Sequence, residues 1–161
     1  MGARAEAEEY EALAARGVLR DRTLADATLA LLHRGDVVAV HSCGTTHTGP
    51  LVHAVADLVV VGTPNGHVDV HLGVPCTIRV VERVRSGGVP RPRGAGSFAQ
   101  RLMEHERAGT RLELGIAPSA AGPQSPTGRL EAVARDHVVM TDAGGDTLLL
   151  PLAVIAWARP G

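Results

Sequence analysis

The sequence has few aromatic residues and no lysine. Tyr10, Phe98 and Trp157 are the only large aromatic side chains among 161 residues, so the core must be built mainly from aliphatic side chains. All sixteen residues in the lysine-plus-arginine count are arginine, and the formal net charge is −1. This charge provides no general attraction to nucleic acid or to an anionic membrane surface. The two cysteines are too few for a disulfide framework, and we expect both to be reduced thiols.

No segment predicts export, membrane insertion or a known catalytic motif. Residues 1–16 are acidic and Ala-rich and lack the apolar stretch of a signal peptide. No apolar run approaches the roughly 20 residues of a membrane-spanning helix. The P-loop, GxGxxG, GxSxG and HExxH patterns are absent. We therefore expect a soluble cytoplasmic protein that is not an enzyme and needs no cofactor.

The local signals predict an N-terminal helix followed by a helix-plus-strands unit. Residues 1–22 contain strong helix formers, with Gly17 as a plausible helix end. The segment from Thr23 to Asp26 has the form of a capping box, and Gly35 is placed to end the helix that follows. Runs rich in β-branched residues then predict four strands, over residues 36–41, 51–61, 67–72 and 76–84.

The same order of signals then occurs a second time. Residues 86–96 form a Gly/Pro/Arg-rich segment that is typical of a linker. After it, Ser97 repeats the capping position and Gly109 the helix end, while residues 128–140 align with residues 49–61. We therefore divide the chain into an N-terminal helix, a first unit, a linker and a second unit, over residues 1–22, 23–85, 86–96 and 97–161.

Each unit, with about sixty residues, is marginal for a core of its own. A closed, strongly bent five-strand barrel with a helix over one end would bury an aliphatic interior economically. The predicted fold class is therefore mainly β with short helices, arranged as two tandem helix-plus-five-strand barrels.

The strand pattern resembles a known family of small barrels. Both copies carry Gly, Leu and Asp at matching places, and the second copy closes with an aliphatic strand; these residues are Gly49, Leu51 and Asp57, Gly128, Leu130 and Asp136, and Leu150 to Ile155. The pattern resembles the Sm-like (LSM) barrel, and the second copy is similar to the C-terminal barrel of the bacterial ribosome maturation factor RimP. The resemblance implies binding to RNA or to a ribonucleoprotein. Val61 and Met140 stand where Sm proteins commonly place an RNA-reading Asn, so the family's RNA-contacting residues are not carried over.

Three alternating polar residues form a candidate metal site. His67, Asp69 and His71 share one face of a predicted strand, and two histidines with a carboxylate resemble a transition-metal ligand set. Neighbours on one strand face are about 6–7 Å apart, which is wide for a single ion. A solvated polar face is the alternative interpretation.

An arginine-rich segment is the candidate nucleic-acid contact. Five arginines are opposed only by Glu82, and they are Arg79, Arg83, Arg85, Arg91 and Arg93. Guanidinium groups form bidentate contacts with phosphates. The alternative is a linker whose charge only improves solubility.

Three functions are therefore open. The first is an Sm-like module that binds RNA or a ribonucleoprotein. The second is a protein-interaction scaffold that forms oligomers through the edge strands of its barrels. A metal-dependent enzyme built on His67, Asp69 and His71 is the third. The narrow apolar stripe at Tyr10, Leu13 and Val18 or Leu19 predicts that the N-terminal helix docks on the barrels or binds a partner.

Overall fold

A computed structural model describes residues 2–84, 87–89 and 94–161 of the chain. In these residues the fold is mainly antiparallel β, with three α-helices: α1 (Gly2–Arg20), α2 (Leu24–Arg34) and α3 (Phe98–Ala108). Ten strands follow the chain as β1 (Val37–Ser42), β2 (Thr45–Val55), β3 (Leu58–Thr63), β4 (Gly66–His71), β5 (Cys76–Glu82), β6 (Arg111–Ile116), β7 (Thr127–Val133), β8 (His137–Asp142), β9 (Thr147–Pro151) and β10 (Ile155–Pro160). A 3₁₀ turn, Leu152–Val154, precedes β10. Within the described residues, no helix is long and apolar enough to cross a membrane.

The predicted helix caps are confirmed. The Thr23 hydroxyl accepts a hydrogen bond from the Asp26 backbone N–H, and the Asp26 carboxylate accepts one from the Thr23 N–H, which completes the capping box of α2. Ser97 caps α3 through the N–H of Gln100. Both helices end at a glycine in the left-handed conformation, Gly35 for α2 and Gly109 for α3.

The N-terminal helix differs from its prediction in two ways. It continues through Gly17 to Arg20, so Gly17 is not its C-cap. None of its residues is buried, and Tyr10, Leu13, Val18 and Leu19 are all exposed. The prediction that its apolar stripe docks on the barrels is therefore wrong.

The predicted strand over residues 51–61 is two strands. It is interrupted at Ala56 and Asp57, which form the tight turn between β2 and β3, with Ala56 in the left-handed region at φ 50°. Glycine and asparagine usually mark such turns, and neither is present here, so the apolar residues on both sides resemble one continuous strand.

The ten strands form one open sheet in the order β5-β1-β2-β3-β4-β10-β6-β7-β8-β9. We call β1–β5 the first strand set and β6–β10 the second. Each set has the same internal order, with its fifth strand beside its first and its fourth strand at the far end. The two closed barrels expected from the sequence are not confirmed, because the sheet does not close and the sets are joined where β4 pairs with β10.

The two sets agree in strand register. Val38 on β1 lies opposite Gly49, and Leu112 on β6 lies opposite Gly128. In the next pair of strands, β2 has a register shift just after Leu51 and β7 has one just after Leu130. The alignment of residues 128–140 with residues 49–61 therefore corresponds to equivalent places in the sheet.

The core consists of two hydrophobic clusters, and each cluster lies mainly beneath one strand set. Where the two sets meet, each cluster also includes side chains of the other set. Leu58 and Val60 of the first set pack in the second cluster with Phe98, while Trp157 of the second set packs in the first cluster with Val70. The pairing of β4 with β10, which we call the joint, is therefore part of both clusters.

The aligned glycines provide a test of the shared architecture. A Cβ atom at Gly49 would collide with the Gly62 carbonyl, and one at Gly128 would collide with the Thr141 carbonyl. We expect Gly49→Ala and Gly128→Ala each to lower the free energy of unfolding by about 1–3 kcal/mol, because backbone atoms must move. Gly17→Ala is the control, since nothing lies within 4 Å of the added Cβ. Thermal unfolding should show lower midpoints for the first two variants only; an unchanged midpoint at either strand position would contradict this packing.

Candidate functional site

Several buried polar side chains meet at the joint between the two strand sets, where β4 pairs with β10. Strands β4 and β10 share two register pairs, Val70 with Trp157 and Ala158 with Asp69. All four residues are buried. Since so short a ladder contains few backbone hydrogen bonds, side chains must supply much of the joint's stability.

Asp69 is the central side chain of the joint. It is 1% exposed, and it accepts a hydrogen bond from Arg101 Nε at 3.1 Å and one from His105 Nε2 at 2.7 Å. Both partners lie on α3, so one carboxylate of the first set holds the helix of the second. Burial alone would lower the pKa of Arg101, but Asp69 and Glu104 raise it, and the guanidinium stays charged. The joint therefore pairs a buried carboxylate with a partly buried guanidinium, and further hydrogen bonds support the pair.

His71 adds a second connection, two residues further along β4. Its Nδ1 lies 3.0 Å from the Ile155 carbonyl, to which it donates, and its Nε2 lies 3.2 Å from the Asp57 carboxylate. The His71 ring stacks on the Phe98 ring at 4.6 Å. Asp57 also accepts the Phe98 backbone N–H at 2.8 Å, which fixes the first residue of α3.

The structure does not bring the three candidate metal ligands together as a site. His67 is exposed, whereas the polar atoms of Asp69 and His71 are engaged by the partners described above. Among residues 2–84, 87–89 and 94–161, no group of three His, Cys, Asp or Glu side chains has a geometry suited to a metal ion. The alternative of a solvated face is also wrong for Asp69 and His71, because α3 and β10 cover them.

The candidate nucleic-acid contacts are only partly described. Arg79 is exposed on β5 and Arg83 is exposed just beyond it. Arg85, Arg91 and Arg93 lie outside the described residues, so their role stays a prediction. The two cysteines are half-buried free thiols, and burial raises the pKa of Cys76, which disfavours the thiolate.

Strands β5 and β9 are the outermost strands of the sheet, and each carries an exposed apolar side chain. Val81 on β5 is 47% exposed and Leu149 on β9 is 67% exposed. The other large apolar side chains with comparable exposure lie on α1 and at Leu24 of α2. An edge strand with unpaired backbone groups and exposed aliphatic side chains is a template for pairing with another chain.

Because the two strand sets share a register, each residue of β9 can be matched to a residue of β4 at the joint. Val59 lies opposite Val70 and Val138 lies opposite Leu150, so β9 takes the place of β4. Leu149 thus stands where the first set has Asp69, and Pro151 stands where it has His71.

The helices correspond in the same way, because Thr23 and Ser97 cap them and Gly35 and Gly109 end them at equal distances. By this correspondence, α2 carries Leu24, Ala27 and Leu31 at the positions where α3 carries Phe98, Arg101 and His105. The partners of Asp69 on α3 are thus polar, and the same places on α2 are apolar. The sequence contained this signal, since the alignment of the caps needed only to be continued through the helices.

The polar joint leads to a mutational prediction. Asp69→Ala removes the acceptor of Arg101 and His105 and leaves the partly buried guanidinium without its main partner, so we expect a loss of about 3–5 kcal/mol in the free energy of unfolding. Glu104→Gln removes the half-exposed second partner of the same guanidinium and should cost less than about 1 kcal/mol. Chemical denaturation of both variants measures the difference; equal losses would show that the buried pair does not dominate the joint.

Comparison with known proteins supplies no template for this region. No protein-family model, no curated protein and no solved structure matches the chain. The interpretation of the joint and of the free edges therefore depends on their own residues, register and exposure.

Proposed function

We propose that the chain is a non-enzymatic scaffold that assembles head to tail with further copies of itself, β9 of one copy pairing with β5 of the next. We propose also that each strand set, with the helix before it, is a unit of Sm-like (LSM) type; the strand order common to both sets supports this assignment. The observation that carries the scaffold function is the joint itself. Within the chain a fourth strand, β4, pairs with a fifth strand, β10, and the remaining fourth and fifth strands are the exposed edges.

The joint specifies the register of the proposed contact. The pairing of Ala39 with Arg79 corresponds to that of Glu113 with Arg159, so Ile78 and Thr77 take the places of Ala158 and Trp157. If the second contact repeats the first, Leu149 lies opposite Ile78 of the next copy. Leu150 then lies opposite its Thr77.

The same correspondence brings α2 of the next copy onto β9. Leu24, which is 46% exposed, would cover Pro151, as Phe98 covers His71. Ala27 and Leu31 would cover Leu149, as Arg101 and His105 cover Asp69. Full burial of an aliphatic side chain contributes about 1.5–3 kcal/mol, so burying Leu149 and Leu24 favours association.

The exposed carboxylate of Asp136 fits the same arrangement. Asp136 corresponds to Asp57, which accepts the backbone N–H of Phe98 at the start of α3. In the proposed contact Asp136 would accept the Leu24 N–H at the start of α2. It is exposed and contacts the adjacent His137, so it is accessible to a partner.

The joint within the chain is polar and the proposed contact between chains is apolar, and this difference determines which strands pair. If β9 met α3 instead of α2, Leu149 would lie against Arg101 and His105, and the guanidinium would be desolvated without Asp69. If β4 met α2 instead of α3, Asp69 would lie against Ala27 and Leu31 and would have no hydrogen-bond donor. Polar pairing within the chain and apolar pairing between chains are therefore each selective.

RNA binding remains a prediction from the resemblance and from the arginine-rich segment. Arg79 and Arg83 are exposed and could contact phosphates. Because Arg79 lies on the edge strand β5, the proposed assembly and an RNA contact would both use this side of the sheet. The scaffold function is the better supported of the two, because the joint, the unpaired edge strands and the exposure of Leu149 and Leu24 all favour it.

The scaffold function is tested by the mass of the protein in solution. We expect the wild-type chain to have a mass above that of one chain in light scattering after gel filtration. Leu149→Lys places a charge at the centre of the apolar contact, so we expect it to shift the mass towards that of one chain.

Leu13→Lys is the matched control, because Leu13 is also an exposed leucine but lies on α1, away from both edge strands. It should leave the mass unchanged. A wild-type protein that is monomeric at all accessible concentrations would contradict the proposal. Equal effects of the two lysine variants would also contradict it, because they would place the contact elsewhere.

A further inference from the structure

A cavity of about 400 Å³ lies beside the joint, and none of its lining residues belongs to α3. It is formed by the start of β2, the hairpin between β3 and β4, and the end of β10, so it needs both strand sets. Its polar lining residues include Thr46, His47, Thr48, Asn65, His67 and Arg159. A volume of this size lies in the range of small-molecule sites.

His47 is the buried polar residue of this cavity. It is 3% exposed, and its Nε2 has no hydrogen-bond partner within the described residues. Its ring meets the edge of the Trp157 ring at 5.1 Å, which fixes its position. His47 thus contributes a buried polar ring to the cavity wall, and a buried polar atom without a partner calls for an explanation.

Arg159 provides a preoriented positive charge. Its Nε and Nη2 both donate to Glu113 Oε2, at 3.0 and 2.9 Å, and its guanidinium lies 5.1 Å from the centre of the Trp157 ring. These contacts leave both N–H groups of Nη1 and one N–H group of Nη2 as donors. No carboxylate lines the cavity.

We infer that this cavity binds a small molecule that carries a phosphate or carboxylate group. Arg159 supplies the charged hydrogen bond, and the hydroxyl of Thr48 and the amide of Asn65 are further donors. Burial, together with the nearby Arg159, lowers the pKa of His47, so a neutral imidazole is available to donate or accept. The donor types favour an oxyanion over a cation.

The second strand set does not repeat this site. By the shared register, Arg79 corresponds to Arg159, but Pro126 stands where the first set has His47. Within the described residues, the second strand set therefore has no counterpart of the buried histidine beside its arginine.

Calorimetric titration tests the inference with three probes: inorganic phosphate, adenosine monophosphate and succinate, at constant ionic strength. We expect the wild-type protein to bind at least one of them, and the three titrations distinguish a bare phosphate, a phosphate ester and a carboxylate. Arg159→Gln should weaken that binding about tenfold or more, because a charged hydrogen bond is lost. Arg16→Gln is the control, because Arg16 is exposed on α1 and does not line the cavity, and it should leave binding unchanged.

Asn65→Ala and His67→Ala keep the test valid if Arg159→Gln disturbs the fold, because both residues are exposed on the hairpin. At least one of the two should weaken binding several-fold. Failure of the wild-type protein to bind any probe would overturn the inference. Binding that survives Arg159→Gln in a folded protein would also overturn it.

Discussion

The pairing of β4 with β10 is the interaction on which the rest of the structure depends. It joins two strand sets of the same internal order into one sheet. Only two residue pairs form its ladder, and the buried carboxylate of Asp69 reinforces it by holding Arg101 and His105 of α3. A buried carboxylate is stable only while its partners are present, so the joint requires the helix, the strand and the acid together.

The repetition of one unit leaves a second joint incomplete. A fourth strand and a fifth strand pair inside the chain, and the other fourth and fifth strands remain at the edges with Leu149 and Val81 exposed. Leu149 stands at the position of Asp69 and Ala27 at that of Arg101, so the proposed contact between chains would be apolar where the joint within the chain is polar. This difference would give the proposed contact specificity, because each surface would lose its partners if it met the wrong one.

The local features of this fold can be predicted from the sequence, and the long-range features cannot. The caps at Thr23 and Ser97 and the aligned glycines depend on neighbouring residues and on a repeated pattern, so the sequence predicts them correctly. The turn at Ala56 is hidden because no glycine marks it. The role of Asp69 is hidden for a different reason, since its partners on α3 lie 32 and 36 residues away in sequence. A strand pattern shows which residues share a face, but not which helix covers that face.

The register of the contact between chains is the most direct test of the scaffold function. In a chain with Cys43 and Cys76 replaced by serine, the pair Leu149→Cys and Ile78→Cys should form intermolecular disulfides on mild oxidation. Residues directly opposite each other in antiparallel strands have Cα atoms about 4.5–5.5 Å apart, within the range of a disulfide. Moving the second cysteine to Val80 shifts it by about 6.6 Å along the strand and should abolish the cross-link. Covalent oligomers from the first pair alone, seen on a non-reducing gel, are the expected result; no oligomers, or equal amounts from both pairs, would contradict the head-to-tail contact.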